Sequence, residues 1–195
     1  MLPAAALSAH RFLLRASLTG VHIFAWIFVV QFNLGLTDDL GIAVSRTLFL
    51  YALAQVVTIL LTPYAARSLS QGTRRLSFYA VLFLATAFAL LAATLSHQVA
   101  WLDSVGGVLF ALFMGAYRAL YWVPYRVEEH VYRPKASTVP EELFLASVPA
   151  LVGIILMSTA SGVAVLCAGA IIALMSLLLL KVIVSNDVVL KSLIV

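Results

Sequence analysis

Hydrophobic residues in this chain fall into six long blocks, at about residues 17–36, 43–63, 77–95, 100–122, 142–160 and 162–183, separated by short polar breaks. A helix that crosses the hydrocarbon core of a bilayer needs roughly 20 mostly apolar residues, because the core is about 30 Å thick and each helical residue rises about 1.5 Å. The blocks have that length. Inside hydrocarbon every backbone amide needs an internal partner, so such runs are expected to be helical. A transmembrane β-barrel would instead show segments of about ten residues alternating in polarity. The pattern predicts an all-α, polytopic membrane protein, with six transmembrane helices forming a single domain over residues 1–195.

Composition strengthens that reading. Charged residues make up only 10% of the chain and mean hydropathy is +1.09, values that an ordinary water-soluble core does not produce. The first block is too long for the apolar stretch of a cleaved signal peptide. The net charge of +4 does not point to nucleic acid, because its distribution has another explanation. Arg11, Arg15, Arg67, Arg74, Arg75, Arg126, Arg133, Lys135, Lys181 and Lys191 fall in one set of alternating connections, and only Arg46 falls in the other. Cytoplasmic loops carry the excess of Lys and Arg. The chain is therefore expected in the cell (inner or plasma) membrane with both termini cytoplasmic and the lipid bilayer as its first partner.

The longest polar stretch, about residues 126–142, contains Pro134 and Pro140 and divides three blocks from three more. Two three-helix units of this kind enter the membrane from opposite sides, the inverted-repeat layout of many secondary transporters. The third and sixth blocks are the most uniformly apolar and are expected to face lipid. The first and fourth carry His22, Gln31, Asn33 and Arg118 and are expected to form an inner, cavity-lining pair.

Polar residues in the blocks lie in helical stripes. His22, Trp26 and Asn33 share one face; Tyr51, Gln55, Thr58 and Thr62 share another; Arg118, Tyr121, Trp122 and Tyr125 share a third. Polar groups in hydrocarbon are costly and should face the bundle interior or water. Each stripe has two readings. His22 either bonds a neighbouring helix or relays protons. Asn33 and Gln55 are either interhelical glue or ligand contacts. Arg118 either snorkels to the interface or, with the aromatics beside it, holds an anionic or planar ligand. Pro149 and Gly153 sit where a helix bend is expected.

No sequence signature of a hydrolase, zinc enzyme or nucleotide-binding loop is present. Cys167 is the single cysteine, so no internal disulfide is expected. Glu128, Glu129 and His130 are adjacent, and neighbours on a helix point about 100° apart, too divergent to converge on one ion. Neither an enzyme, nor a cofactor, nor a metal is expected.

Two segments carry a resemblance. The connection from Thr62 to Arg75, TPYAARSLSQGTRR, resembles the basic loop usually written G-x3-D-R-x-G-R-R, with Arg67, Gly72, Arg74 and Arg75 matching in kind, Ala66 in place of the acid and Thr62 in place of the first glycine. The segment Gly115–Tyr125, ending Tyr-Trp-Val-Pro-Tyr, is similar to an aromatic ending of some prokaryotic transporters. With the topology, these make the chain resemble the N-terminal six-helix half of a major facilitator superfamily transporter. The resemblance implies alternating access to a midplane site for a small-molecule substrate. It also implies a missing second half, supplied by a homodimer or by another chain. The expected cavity residues are His22, Trp26, Asn33, Tyr51, Gln55, Arg118, Tyr121 and Trp122. The alternatives are a non-transporting membrane scaffold or regulatory subunit, and a truncated transporter fragment.

Overall fold

The structure, a computed structural model, describes residues 3–132, 139–159 and 161–180. The described residues are helical almost throughout. Helix α1 (Pro3–Ser17) passes through a π-helical turn, Leu18–His22, into α2 (Ile23–Thr37). Then come α3 (Leu40–Arg67), a short 3-10 turn (Ser68–Gln71), α4 (Thr73–Leu95), α5 (Ala100–Tyr132), α6 (Val139–Thr159) and α7 (Gly162–Leu180). Among the described residues, five stretches are long and apolar enough to cross a membrane: Ser8–Thr37, Leu40–Ser70, Thr73–Leu95, Ala100–Val127 and Gly162–Leu179. The described apolar stretch of α6, Glu142–Leu156, is shorter. The described residues are thus all-helical and suited to a membrane, with five full-length candidate spans among them against the six expected.

The helices overrun the apolar blocks. The first begins at Pro3, so Arg11 and Arg15 lie on helix rather than ahead of it. The fourth runs to Tyr132 with Pro124 inside it, so the expected loop from residue 126 begins as helix. Apolarity marks depth in hydrocarbon, whereas backbone hydrogen bonding continues into the interface, which is why the two boundaries differ. Pro140 falls in the first turn of α6, where its missing N–H removes no helical bond. Pro134, residue 160 and residues 181–183 of the expected last block lie outside the described residues.

The connections are built from side-chain chemistry as much as from length. At the end of α2, Asp38 takes a left-handed conformation (φ 53°) and its N–H bonds Leu34 O at 2.8 Å. Asp39 then caps α3, its carboxylate accepting from Ile42 N at 2.9 Å, as N-cap acids do. Before α4, Gly72 sits at φ 107°, a conformation that a side chain makes costly.

Helix α4 is the centre of the bundle, packed along α5 on one side and α7 on the other. Leu84, Phe88 and Leu91 are fully buried, with Ala80 and Ala87 beside them. Half of its most apolar window is buried, against 17% for α3. This corrects the expectation that the third block faces lipid, whereas α7, the sixth, keeps Ile171, Met175 and Leu178 exposed. A helix apolar all round is as suited to a buried position as to a lipid-facing one, and small residues such as the α4 alanines let neighbouring backbones come close. The remaining contacts place α3 against α5 and α2, α1 against α7, and α6 against the π turn.

Candidate functional site

The π turn sets the site. A π turn adds a residue to the helical repeat and redirects the side chains that follow, and such turns recur at functional sites. Gly20 lies in this one, and a Cβ there would meet Val148 Cγ1 of α6 at 2.8 Å, so the turn is held against α6 by close approach. His22 closes the turn, and Trp26 follows it by four residues on α2.

Four residues, from the π turn, α2, α3 and α5, converge here. His22 Nε2 accepts a hydrogen bond from Trp26 Nε1 at 3.3 Å and another from Arg118 Nη2 of α5 at 3.2 Å. The Arg118 guanidinium carbon lies 5.6 Å from the ring centroid of Tyr51 on α3. Trp26 meets Tyr51 edge-on at 5.2 Å and Phe110 at 5.1 Å. An indole N–H and a guanidinium can only donate, so His22 presents its lone pair at Nε2 and carries its ring proton on Nδ1.

Arg118 lies nine residues inside the end of its candidate span, Ala100–Val127, deeper than the one turn from the cytoplasmic end expected from the block boundary. Among the described residues no carboxylate lies within ion-pair distance of it. A cation in a membrane-spanning segment ordinarily pairs with an acid or faces a water-filled cavity. Bonded to an imidazole lone pair and lying over an aromatic face, this guanidinium retains donors for an incoming anion.

The other expected cavity residues do not join this group. Asn33 is buried further along α2, where its amide donates to Thr47 Oγ1 at 3.2 Å. Gln55 is half-buried one turn from Tyr51 on the same face of α3. Tyr121 and Trp122 share the Arg118 stripe but differ from each other in burial. Tyr121 is buried against Tyr117 at 5.5 Å and Tyr125 at 5.6 Å, while Trp122 is 52% exposed. Helical offsets of three and four residues place side chains on one face but one turn apart, enough to put them in different surroundings.

Of the basic loop, Arg67 and Arg75 are exposed and Arg74 is half-buried. Arg75 lies 5.9 Å over the Tyr79 ring. Among the described residues these cations make no ion pair with an acid.

Sequence reasoning missed a second polar group. His10 and Arg11 of α1 are buried, at 1% and 7% exposure. His10 Nδ1 bonds Ser176 O of α7 at 3.0 Å. Arg11 Nη2 donates to Tyr125 O at 3.1 Å, and its guanidinium lies 4.1 Å over the Tyr125 ring. Both residues precede the first apolar block, so the pattern that found the spans passed over them.

Among the described residues no three His, Cys, Asp or Glu side chains gather where they could hold a metal ion. No protein-family model, curated protein or solved structure matches the chain.

Proposed function

We propose that the chain is a transport protein of the cell membrane, equivalent to half of a secondary transporter, that moves a small solute bearing an anionic group. The carrying observation is Arg118, held between His22 and Tyr51 within a candidate membrane-spanning segment and, among the described residues, without an acid in ion-pair distance. Its free donors are the solute contact, and His22, Trp26 and Tyr51 shape the site around it.

The packing pattern supports two inverted three-helix units. The contact of α4 with α5 has its counterpart in α7 with α1, and that of α3 with α5 in α6 with the π turn. α4 and α7, the equivalent third helices, pack on each other, and the bond from His22 to Arg118 links the equivalent first helices. Alternating access by rocking of such units about a midplane site is the mechanism this layout serves. Both termini lie in the cytoplasm on this reading, following the basic connections.

Tyr51 is 42% exposed on α3, the least buried of the five candidate spans, so the site opens sideways along α3. A second bundle, from another copy or another chain, closes it. A scaffold or regulatory subunit would also seat its partner there, and the open α3 face is the observation favouring that second reading.

The test is uptake of a panel of radiolabelled carboxylates and phosphates into proteoliposomes, together with the mass of the nanodisc-embedded protein. Uptake by a species of twice 21.0 kDa, or by a complex with a second six-span chain, supports transport. Arg118→Ala should cut uptake roughly tenfold, the usual consequence of losing a charged hydrogen bond, at unchanged membrane abundance. Equal loss of uptake and abundance, or a monomer with no uptake, overturns it.

A further inference from the structure

We propose that the cavity between α2, α3 and α5 binds an amphipathic zwitterion, a molecule with an acid and an amine on a compact head and an apolar body. The proposal rests on the cavity alone and holds whether or not the chain transports. The cavity, open on one side, has a volume of about 740 Å³, within the range of small-molecule sites, roughly 300–1,000 Å³. It lies toward the end of the bundle where α2 turns into α3 and α4 into α5, separate from the four-residue group around His22.

Its lining has two characters. Phe32, Phe49 and Leu91 contribute apolar wall, while Asn33, Arg46 and Asp103 contribute polar groups. Arg46 and Asp103 face the same space without pairing. Asp103 Oδ1 accepts from His97 Nδ1 at 3.0 Å, and no acid lies within ion-pair distance of Arg46 among the described residues. Asn33 is fixed in the wall by its bond to Thr47.

Opposite charges that line one cavity but do not neutralise each other suit a ligand carrying both. The Arg46 fork takes the acid, and the second carboxylate oxygen of Asp103 takes the ammonium. A simple anion would bring its charge up to Asp103, and a simple cation would bring its charge up to Arg46. A head without an apolar body would leave the aromatic wall unfilled, forfeiting the burial that such pockets exploit.

The experiment uses three probes of equal chain length: α-aminododecanoic acid, dodecanoic acid and dodecylamine. Binding to the full chain in phosphatidylcholine nanodiscs is measured by equilibrium partition, with empty nanodiscs subtracted. The zwitterion is expected to bind at least about tenfold more tightly than either singly charged probe, as loss of one charged hydrogen bond implies. Arg46→Gln should bring the zwitterion down to the level of dodecylamine, and Asp103→Asn down to that of dodecanoic acid. Both side chains are at the surface end of the cavity, and Asp103→Asn keeps the acceptor for His97, so folding is retained; thermal melting confirms it. Lauroyl lysophosphatidylethanolamine identifies the source. Tighter binding than α-aminododecanoic acid supports a lipid headgroup, and weaker binding an amino-acid-like solute. Equal binding of all three probes, or wild-type affinity in both variants, overturns the proposal.

Discussion

Arg118 Nη2 and His22 Nε2, 96 positions apart in the chain, meet at 3.2 Å between α5 and the π turn. The bond is one-directional: the imidazole accepts from Arg118 and from Trp26 at the same nitrogen. The two partners are therefore not equivalent in what their removal leaves behind. Arg118→Leu leaves His22 Nε2 still accepting from Trp26 Nε1. His22→Leu strands both an indole N–H and a guanidinium. Interhelical hydrogen bonds in membranes average about 0.6 kcal/mol and reach about 1.7. His22→Leu should therefore destabilise by about 1–2 kcal/mol and Arg118→Leu by less than about 0.6 kcal/mol. Reversible unfolding of the two variants in mixed micelles measures the difference. Equal or inverted costs would show that the cluster is bonded otherwise.

Gly115 of α5 faces α3 so closely that a Cβ would strike the carbonyl oxygen of Ala54 and lie 2.8 Å from Val57 Cβ. Thr58 Oγ1 also donates to Gly115 O at 3.1 Å, locking the register of the two helices. Backbone cannot swing aside as a side chain can, so overpacking here costs about 1–3 kcal/mol. Gly115→Ala should lower stability by that amount, whereas Gly35→Ala, with nothing within 4 Å, should be neutral or slightly stabilising. A thermal shift comparing the two variants checks it. A neutral Gly115→Ala would mean that α3 and α5 do not approach this closely.

The turn before α4 gives a smaller and more local effect. Gly72 holds φ 107°, where a side chain is strained, so Gly72→Ala should cost about 1 kcal/mol. Its neighbour Ser70 is exposed on the 3-10 turn, and Ser70→Ala should change stability by less than about 0.5 kcal/mol. Denaturation midpoints of the pair separate a conformational requirement at Gly72 from general sensitivity of the loop.

Helix existence was legible because hydrocarbon length and apolar composition are set by one physical quantity, the bilayer thickness. Helix ends were not: α1 reaches back to Pro3 and α5 on to Tyr132, through residues whose polarity suits an interface. Burial was misread for α4, because apolarity alone does not distinguish contact with lipid from contact with protein. For the site, four residues of the stripes, His22, Trp26, Tyr51 and Arg118, come together in the structure. Their meeting could not be read from spacing, since it joins α2, α3 and α5 and depends on the π turn at Leu18–His22. Tyr121 and Trp122, in the same stripe as Arg118, take different surroundings, Tyr121 buried among tyrosines and Trp122 exposed. Arg11 was assigned to a solvated connection because polar residues outside an apolar block look solvated, although it is buried over Tyr125.

Whether α6 crosses the membrane decides between five spans and six, and it can be settled by labelling. Its described apolar stretch is short, but the full helix has 21 residues, about 31 Å at 1.5 Å per residue, enough to span. If it crosses, Ser161 at its far end shares a side with Asp39 and Gln98, and Ser70 lies on the opposite, basic side. In a Cys167→Ser background, single cysteines replacing Asp39, Gln98 or Ser161 should react with an impermeant maleimide on intact cells, and one replacing Ser70 only after permeabilisation. The positive-inside bias of the connections sets the direction of this prediction. Protection of the Ser161 position on intact cells, with Asp39 and Gln98 labelled, would make α6 a non-crossing helix. The two three-helix units would then no longer be inverted copies.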